Sequence, residues 1–156
     1  PAPTARQRSL ARAAIDAGAS AVIGAHPHVL QPIETVTARD GRQGVVAYSL
    51  GNFISSQWTL PQRTGAILYM DLVRDAQGRV LAQPPRAMPT RVNRYVGTGV
   101  TVTPAAMVAD GAASIAHAGE VLGAARLLSP SDFGYAVRHA GGAACGVGRA
   151  AERPVR

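Results

Sequence analysis

Apolar residues recur at helical spacing only at the start of the chain, and then the pattern shortens into strands. Over residues 4–17, Leu10, Ala11, Ala14 and Ile15 form one apolar stripe, and Arg6, Arg8, Arg12 and Asp16 face water. Thr4 and Gln7 have the spacing of a capping box, and Gly18 stands where a left-handed residue ends a helix. Ala21-Val22-Ile23 then runs into Gly24, a short unbroken apolar stretch that predicts a strand covered on both faces. Residues 33–38 and 45–50 predict two further strands, joined through Asp40-Gly41. Residues 55–64 read as a polar loop, with Trp58 partly buried over a sheet edge. Residues 66–73 and 79–82 predict a hairpin around the turn Asp75-Ala76-Gln77-Gly78.

Beyond the hairpin, Pro84, Pro85 and Pro89 predict a break in regular structure, with an edge strand at 91–95. Thr103-Pro104 is a helix-start signal, so residues 105–128 are expected to be helical. Gly111, Gly119 and Gly123 each cost that helix about 1 kcal/mol relative to alanine. Residues 141–156 are rich in Gly, Ala and Arg and are expected to be disordered. A helix, a short turn and a strand make half of a βα layer, so the predicted class is α/β with α+β tendencies. The expected division is residues 1–95, a helical extension over 96–140, and the tail.

Composition narrows this picture. The chain has 156 residues, 47% of them hydrophobic, enough for one ordinary domain with a core. Its formal charge of +7 comes entirely from arginines spread from Arg6 to Arg156. Without a clustered basic footprint or interleaved aromatics, nucleic acid is not an expected partner. Weak attraction to an acidic polymer is compatible with the charge. Cys145 is the single cysteine, which excludes an internal disulfide. No stretch reaches the length of a membrane span. The chain opens on Pro1 at the threshold of a helix, so an upstream portion with any export signal or membrane-associating segment is expected.

The candidate chemistry lies at Gly24-Ala25-His26-Pro27-His28. Ligands in open α/β sheets sit beyond the carboxyl ends of strands, where this pair falls. Pro27 biases His26 towards extended dihedrals, and residues two apart in an extended segment project to one side. Imidazole is a common ligand of divalent metals, so the pair is half of a metal site or else two hydrogen-bonded loop histidines. Gly51 allows either close approach to a ligand or a tight bend, and Asn52 either orients a ligand or caps a turn. His117 and His139 read as ordinary surface or core histidines. No catalytic residue is assigned.

These stretches resemble a family. The helix end Ile15-Asp16-Ala17-Gly18-Ala19 is followed by Val22-Ile23-Gly24-Ala25-His26-Pro27-His28-Val29-Leu30-Gln31-Pro32, then by Tyr48-Ser49-Leu50-Gly51-Asn52-Phe53. Together they are similar to the C-terminal half of CapA-like proteins, associated with poly-γ-glutamate capsule synthesis, in the calcineurin-like metallophosphoesterase superfamily. The resemblance covers roughly residues 4 to 80. It implies part of a four-layer α-β-β-α sandwich, incomplete at the N-terminus, with two divalent metal ions at one end of the sheets. It makes His26 and His28 metal ligands and places Gly24, Gln31, Gly51 and Asn52 at the site border. Ala25 is an extra residue that CapA-like members commonly carry. The superfamily's Asp-x-His, Gly-Asp and Asn-His motifs, which supply the other ligands, do not occur here and are expected upstream. The implied partners are an acidic polymer or a phosphoester, and the implied location is the bacterial cell envelope or its outer side. The alternatives are a non-catalytic accessory that binds a polyanion, or an inactive truncated piece.

Overall fold

A computed structural model describes residues 2–95, 99–129 and 131–132; His139, Cys145 and the expected tail lie outside them. Helix α1, Ala5–Asp16, begins with the expected capping box: the Thr4 hydroxyl accepts from Gln7 N–H, and Gln7 Oε1 accepts from Thr4 N–H at 2.8 Å. Its buried stripe is narrower than expected. Ala11 and Ile15 are buried, whereas Leu10 is 61% exposed beside an apolar cleft under the helix. Asp16 does not face water but accepts from the Arg39 N–H at 2.9 Å.

The first sheet has the order β1-β3-β2, from β1 (Ala21–Ile23), β2 (Leu30–Thr37) and β3 (Gln43–Leu50). β1 runs parallel to β3 and β2 antiparallel to it. The central strand is therefore β3, and residues 44–49 are all buried. Its side chains alternate between two faces. Val46 and Tyr48 pack with Ala11 and Ile15 of α1, while Val45 and Ala47 share a second core with Leu30, Ile33 and Ala87. β1 packs on both faces as expected, Ala21 against one core and Val22 against the other, but it is an edge. It has a neighbour on one side only among the described residues, and Ile23 is half exposed.

The expected strand over 66–73 is split. β4 (Thr64–Tyr69) joins a second sheet, and β5 (Leu72–Arg74) turns through Asp75 to pair with β6 (Val80–Ala82). The hairpin and its turn are present as expected, with the Gln77 and Arg79 N–H groups donating to Asp75 Oδ1. The 55–64 loop ends in a single helical turn, α2 (Leu60–Arg63).

The expectation of an edge strand at 91–95 is overturned. β7 runs from Arg86 to Tyr95 and is the central strand of β4-β7-β8. Pro89 is tolerated inside it for a geometric reason. Ala87 C=O points away from β4 and accepts from Leu128 N–H, so position 89, two residues on, also presents its nitrogen away from β4. On that side β8 has already ended, since Pro104 pairs with Thr90, and no ladder bond is lost.

The single long helix is also corrected. Thr103 and Pro104 close β8 (Gly99–Pro104), whose alternating Val and Thr fit a strand, and a 3-10 turn follows at Ala105–Met107. Helix α3 runs only from Ala112 to Leu122, bounded by Gly111 and by Gly123 at φ 91°. Ala118 and Leu122 of α3 enter the core shared with β2, β3 and β7, so segments on either side of residue 96 contribute to one core and one sheet. The class is mixed α/β, with small sheets and three α-helices among the described residues.

Candidate functional site

The first sheet delivers the histidines. Because β1 is parallel and β2 antiparallel to the strand between them, residues 24–29 must cross over the carboxyl end of β3, a shift of two strand spacings, roughly 10 Å. Gly24 starts the crossing with its N–H on Ala47 C=O at 2.7 Å, so close to β3 that a Cβ would strike the Tyr48 carbonyl.

The crossing is too short for the extended run that Pro27 suggests. His26 takes φ 105° and His28 φ 59°, the non-glycine residues with positive φ among those described. Such backbone is uncommon for residues with a Cβ and often marks a functional site. The expectation of extended dihedrals at His26 thus fails, because the chain has to reverse there. The rings still converge: their centroids lie 6.2 Å apart, tilted by 49°, and both residues are exposed.

Asn52 joins this pair from the end of β3. Gly51 supplies the bend at φ 74°, and Asn52, only 7% exposed, turns its side chain under the loop. Its Nδ2 lies 3.0 Å from Gln62 C=O, 3.0 Å from Gln57 Oε1 and 3.2 Å from His28 C=O. Three acceptors around the nitrogen fix the amide orientation, so Oδ1 faces His28 Nδ1 at 2.7 Å. Oδ1 can only accept, so His28 Nδ1 carries the hydrogen, and in the neutral imidazole Nε2 keeps its lone pair. Asn52 therefore both orients the imidazole and closes the turn.

Gln31 is elsewhere. It is buried, accepts from Gln7 Nε2 at 2.8 Å and donates to Ala2 C=O, tying β2 to the start of α1. His117 lies on α3, apart from the pair in sequence and element, with a buried Nε2 that has no partner among the described residues. No group of three or more His, Cys, Asp or Glu comes together among the described residues. Neutral imidazole nitrogens are donors for divalent metals, so in donor type the pair is compatible with part of a coordination shell.

Beyond Asn52 the chain exposes apolar side chains that sequence spacing did not reveal. Phe53, Ile54 and Trp58 are exposed, and the Arg63 guanidinium stacks 4.2 Å from the Trp58 ring centroid. Trp58 is therefore half exposed, with a cation stacked on its ring. Burial, then the nearby charge of Arg91, pushes the Arg63 pKa below its ordinary value. On the far side of β3, Arg8 forms an ion pair with Glu34 at 2.7 Å, and Tyr48 O–H donates to the same carboxylate. Burial, and then Glu34, raise the Tyr48 pKa.

The family described as bacterial capsule synthesis protein PGA_cap matches residues 1–57. The PGA biosynthesis protein CapA of Bacillus subtilis (strain 168) is 43% identical over 82 residues, 53% of this chain and 20% of that protein. The capsule biosynthesis protein CapA of Bacillus anthracis is 43% identical over 68 residues, 43% of this chain and 15% of that protein. The chain thus spans a fifth or less of the length of these relatives. No solved structure matches it. By these matches residues 1–57, which carry α1, the first sheet and both histidines, are similar to the bacterial capsule synthesis family.

Proposed function

We propose that His26 and His28 are two ligands of a divalent-metal centre in a CapA-like capsule biosynthesis protein, and that the remaining ligands come from residues outside this sequence. The observation that carries this reading is the Asn52–His28 hydrogen bond, which leaves the exposed Nε2 free to donate its lone pair. Ligating histidines usually have their other ring nitrogen held in this way. His26 approaches from the same crossing loop, and the strained backbone at both positions supports a role beyond linkage.

Two imidazoles are too few for the two-ion centre of the superfamily, so the dinuclear site and the four-layer sandwich around it belong to the whole protein. Bound divalent ions would supply Lewis acidity and a water of lowered pKa for attack on a phosphoryl or similar group. This chain's own contribution is to hold two nitrogens in place, through Asn52, at the end of β3. The proposed partner is an acidic polymer of the capsule or a phosphoester, and the proposed setting is the cell envelope. No helix among the described residues is long and apolar enough to cross a membrane.

The test is metal analysis of the full-length protein alongside its His26→Ala and His28→Ala variants. Each variant is expected to lose at least half of the bound divalent metal, together with any metal-dependent phosphoester turnover. Unchanged metal content in both variants sinks the reading.

A further inference from the structure

A second polar cluster lies on the other sheet, between β7, α2 and α3, and the imidazole reading makes no use of it. Arg91 and Asn93 are two apart on β7, so they share one face of the strand. They are 6% and 8% exposed. The Arg91 Nη1 donates to Ser114 Oγ at 3.1 Å and to Asp110 C=O at 3.2 Å, and Nη2 is paired with the Asp110 carboxylate. Asn93 Oδ1 accepts from Arg63 Nη2 at 3.0 Å, which fixes its amide with Nδ2 turned the other way. Two buried donors, Arg91 Nε and Asn93 Nδ2, are left with no partner among the described residues.

Both orphans are donors, and the surrounding charge has the matching sign. Arg63 and Arg91 are close enough for each other's charge to be felt, and Asp110 is the carboxylate that faces them. A water could accept from the two orphan donors but would leave the excess positive charge unanswered. An anion meets both needs. The shape selects a carboxylate, because Nε and Nη2 of a guanidinium form a side-on fork that matches two carboxylate oxygens. Asp110 occupies only the Nη2 prong. Its side chain is 67% exposed on the turn before α3, so it can swing away from Nη2.

We propose that Arg91, Asn93 and Arg63 form a carboxylate-binding site, in which Asp110 is an internal occupant that a carboxylate of another molecule replaces. The incoming group takes both prongs of the Arg91 fork and adds the Asn93 amide as a third donor. This site is independent of the imidazole pair, so failure of either proposal leaves the other standing.

The test is a titration of the 15N-labelled full chain with sodium acetate and with tri-L-glutamate at constant ionic strength, following the Arg91 Nε–H and Asn93 side-chain amide resonances. Both probes are expected to shift these signals saturably. Acetate reads a lone carboxylate, and triglutamate reads an acidic chain. Asp110→Asn should lower the half-saturation concentration by roughly tenfold, about the worth of one charge-assisted hydrogen bond. Asn93→Ala should raise it. If neither probe moves the Arg91 Nε–H signal, an ordered water fills the gap and the proposal falls. Equal half-saturation in the parent and Asp110→Asn, with both folded, also overturns it. If the variant does not fold, the parent titration decides.

Discussion

Asn52 must place one acceptor and two donors out of reach of water, and the chain provides partners for all three around the end of β3. Replacing it with alanine leaves the carbonyls of His28 and Gln62 without this donor. Asn52→Ala is expected to lower stability by about 1–3 kcal/mol in chemical denaturation. The same substitution removes the acceptor that holds the His28 tautomer. The ring-nitrogen chemical shifts of His28 should then move from a single Nδ1–H form towards a tautomer mixture. If those shifts stay put, something other than Asn52 positions the ring. The sequence offered Asn52 as a ligand orienter or a turn former, and the structure shows that one amide does both. It gave no hint of Gln57 and Gln62, whose contributions depend on where a loop and a one-turn helix bring them.

At the scale of elements, local signals were legible where local chemistry decides the outcome. The Thr4–Gln7 cap, the Asp75–Gly78 turn and the helix end at Gly18 each depend on neighbours within four residues. Signals failed where a distant strand changes their meaning. Pro89 reads as a breaker until the end of β8 removes the demand for its N–H, and Thr103-Pro104 reads as a helix start until β7 pairs with it. The positive φ of the two histidines was equally hidden, since it follows from the parallel pairing of β1 with β3.

The Asp75 turn carries a pH prediction. Burial alone would raise its carboxyl pKa. The Arg79 guanidinium and backbone N–H, with help from Gln77, outweigh that effect and hold it below the ordinary value of 3.8. A lowered folded pKa contributes stability that is present above the unfolded value and lost as pH falls through the folded one. The β5–β6 hairpin should therefore keep its amide protection at pH 5 and lose it below about pH 3–4, ahead of the second sheet. Asp75→Asn should abolish that pH dependence in hydrogen-exchange measurements.

At the scale of the whole molecule, two cores meet on opposite faces of β3, one under α1 and one under α3 and β7. The periphery is less complete. β1 has an open side among the described residues, and Ile23 and Leu10 are exposed near it. An uncovered apolar strand edge invites pairing between copies. Ile23→Lys is expected to leave the thermal midpoint within about 2 °C of the parent, in keeping with a surface substitution. It should also reduce concentration-dependent association in light scattering. A large fall in the midpoint would mean that Ile23 is more deeply engaged than its exposure implies.

Trp58, the single tryptophan, lies in the segment joining Asn52 to Arg63 and is stacked on the Arg63 guanidinium. That segment links the imidazole loop at one end to the arginine cluster at the other, through the Gln62 carbonyl and the Asn93 amide. The molecule therefore carries a native fluorophore between its two candidate sites. Indole emission, free of any attached dye, is positioned to sense a disturbance arriving from either direction.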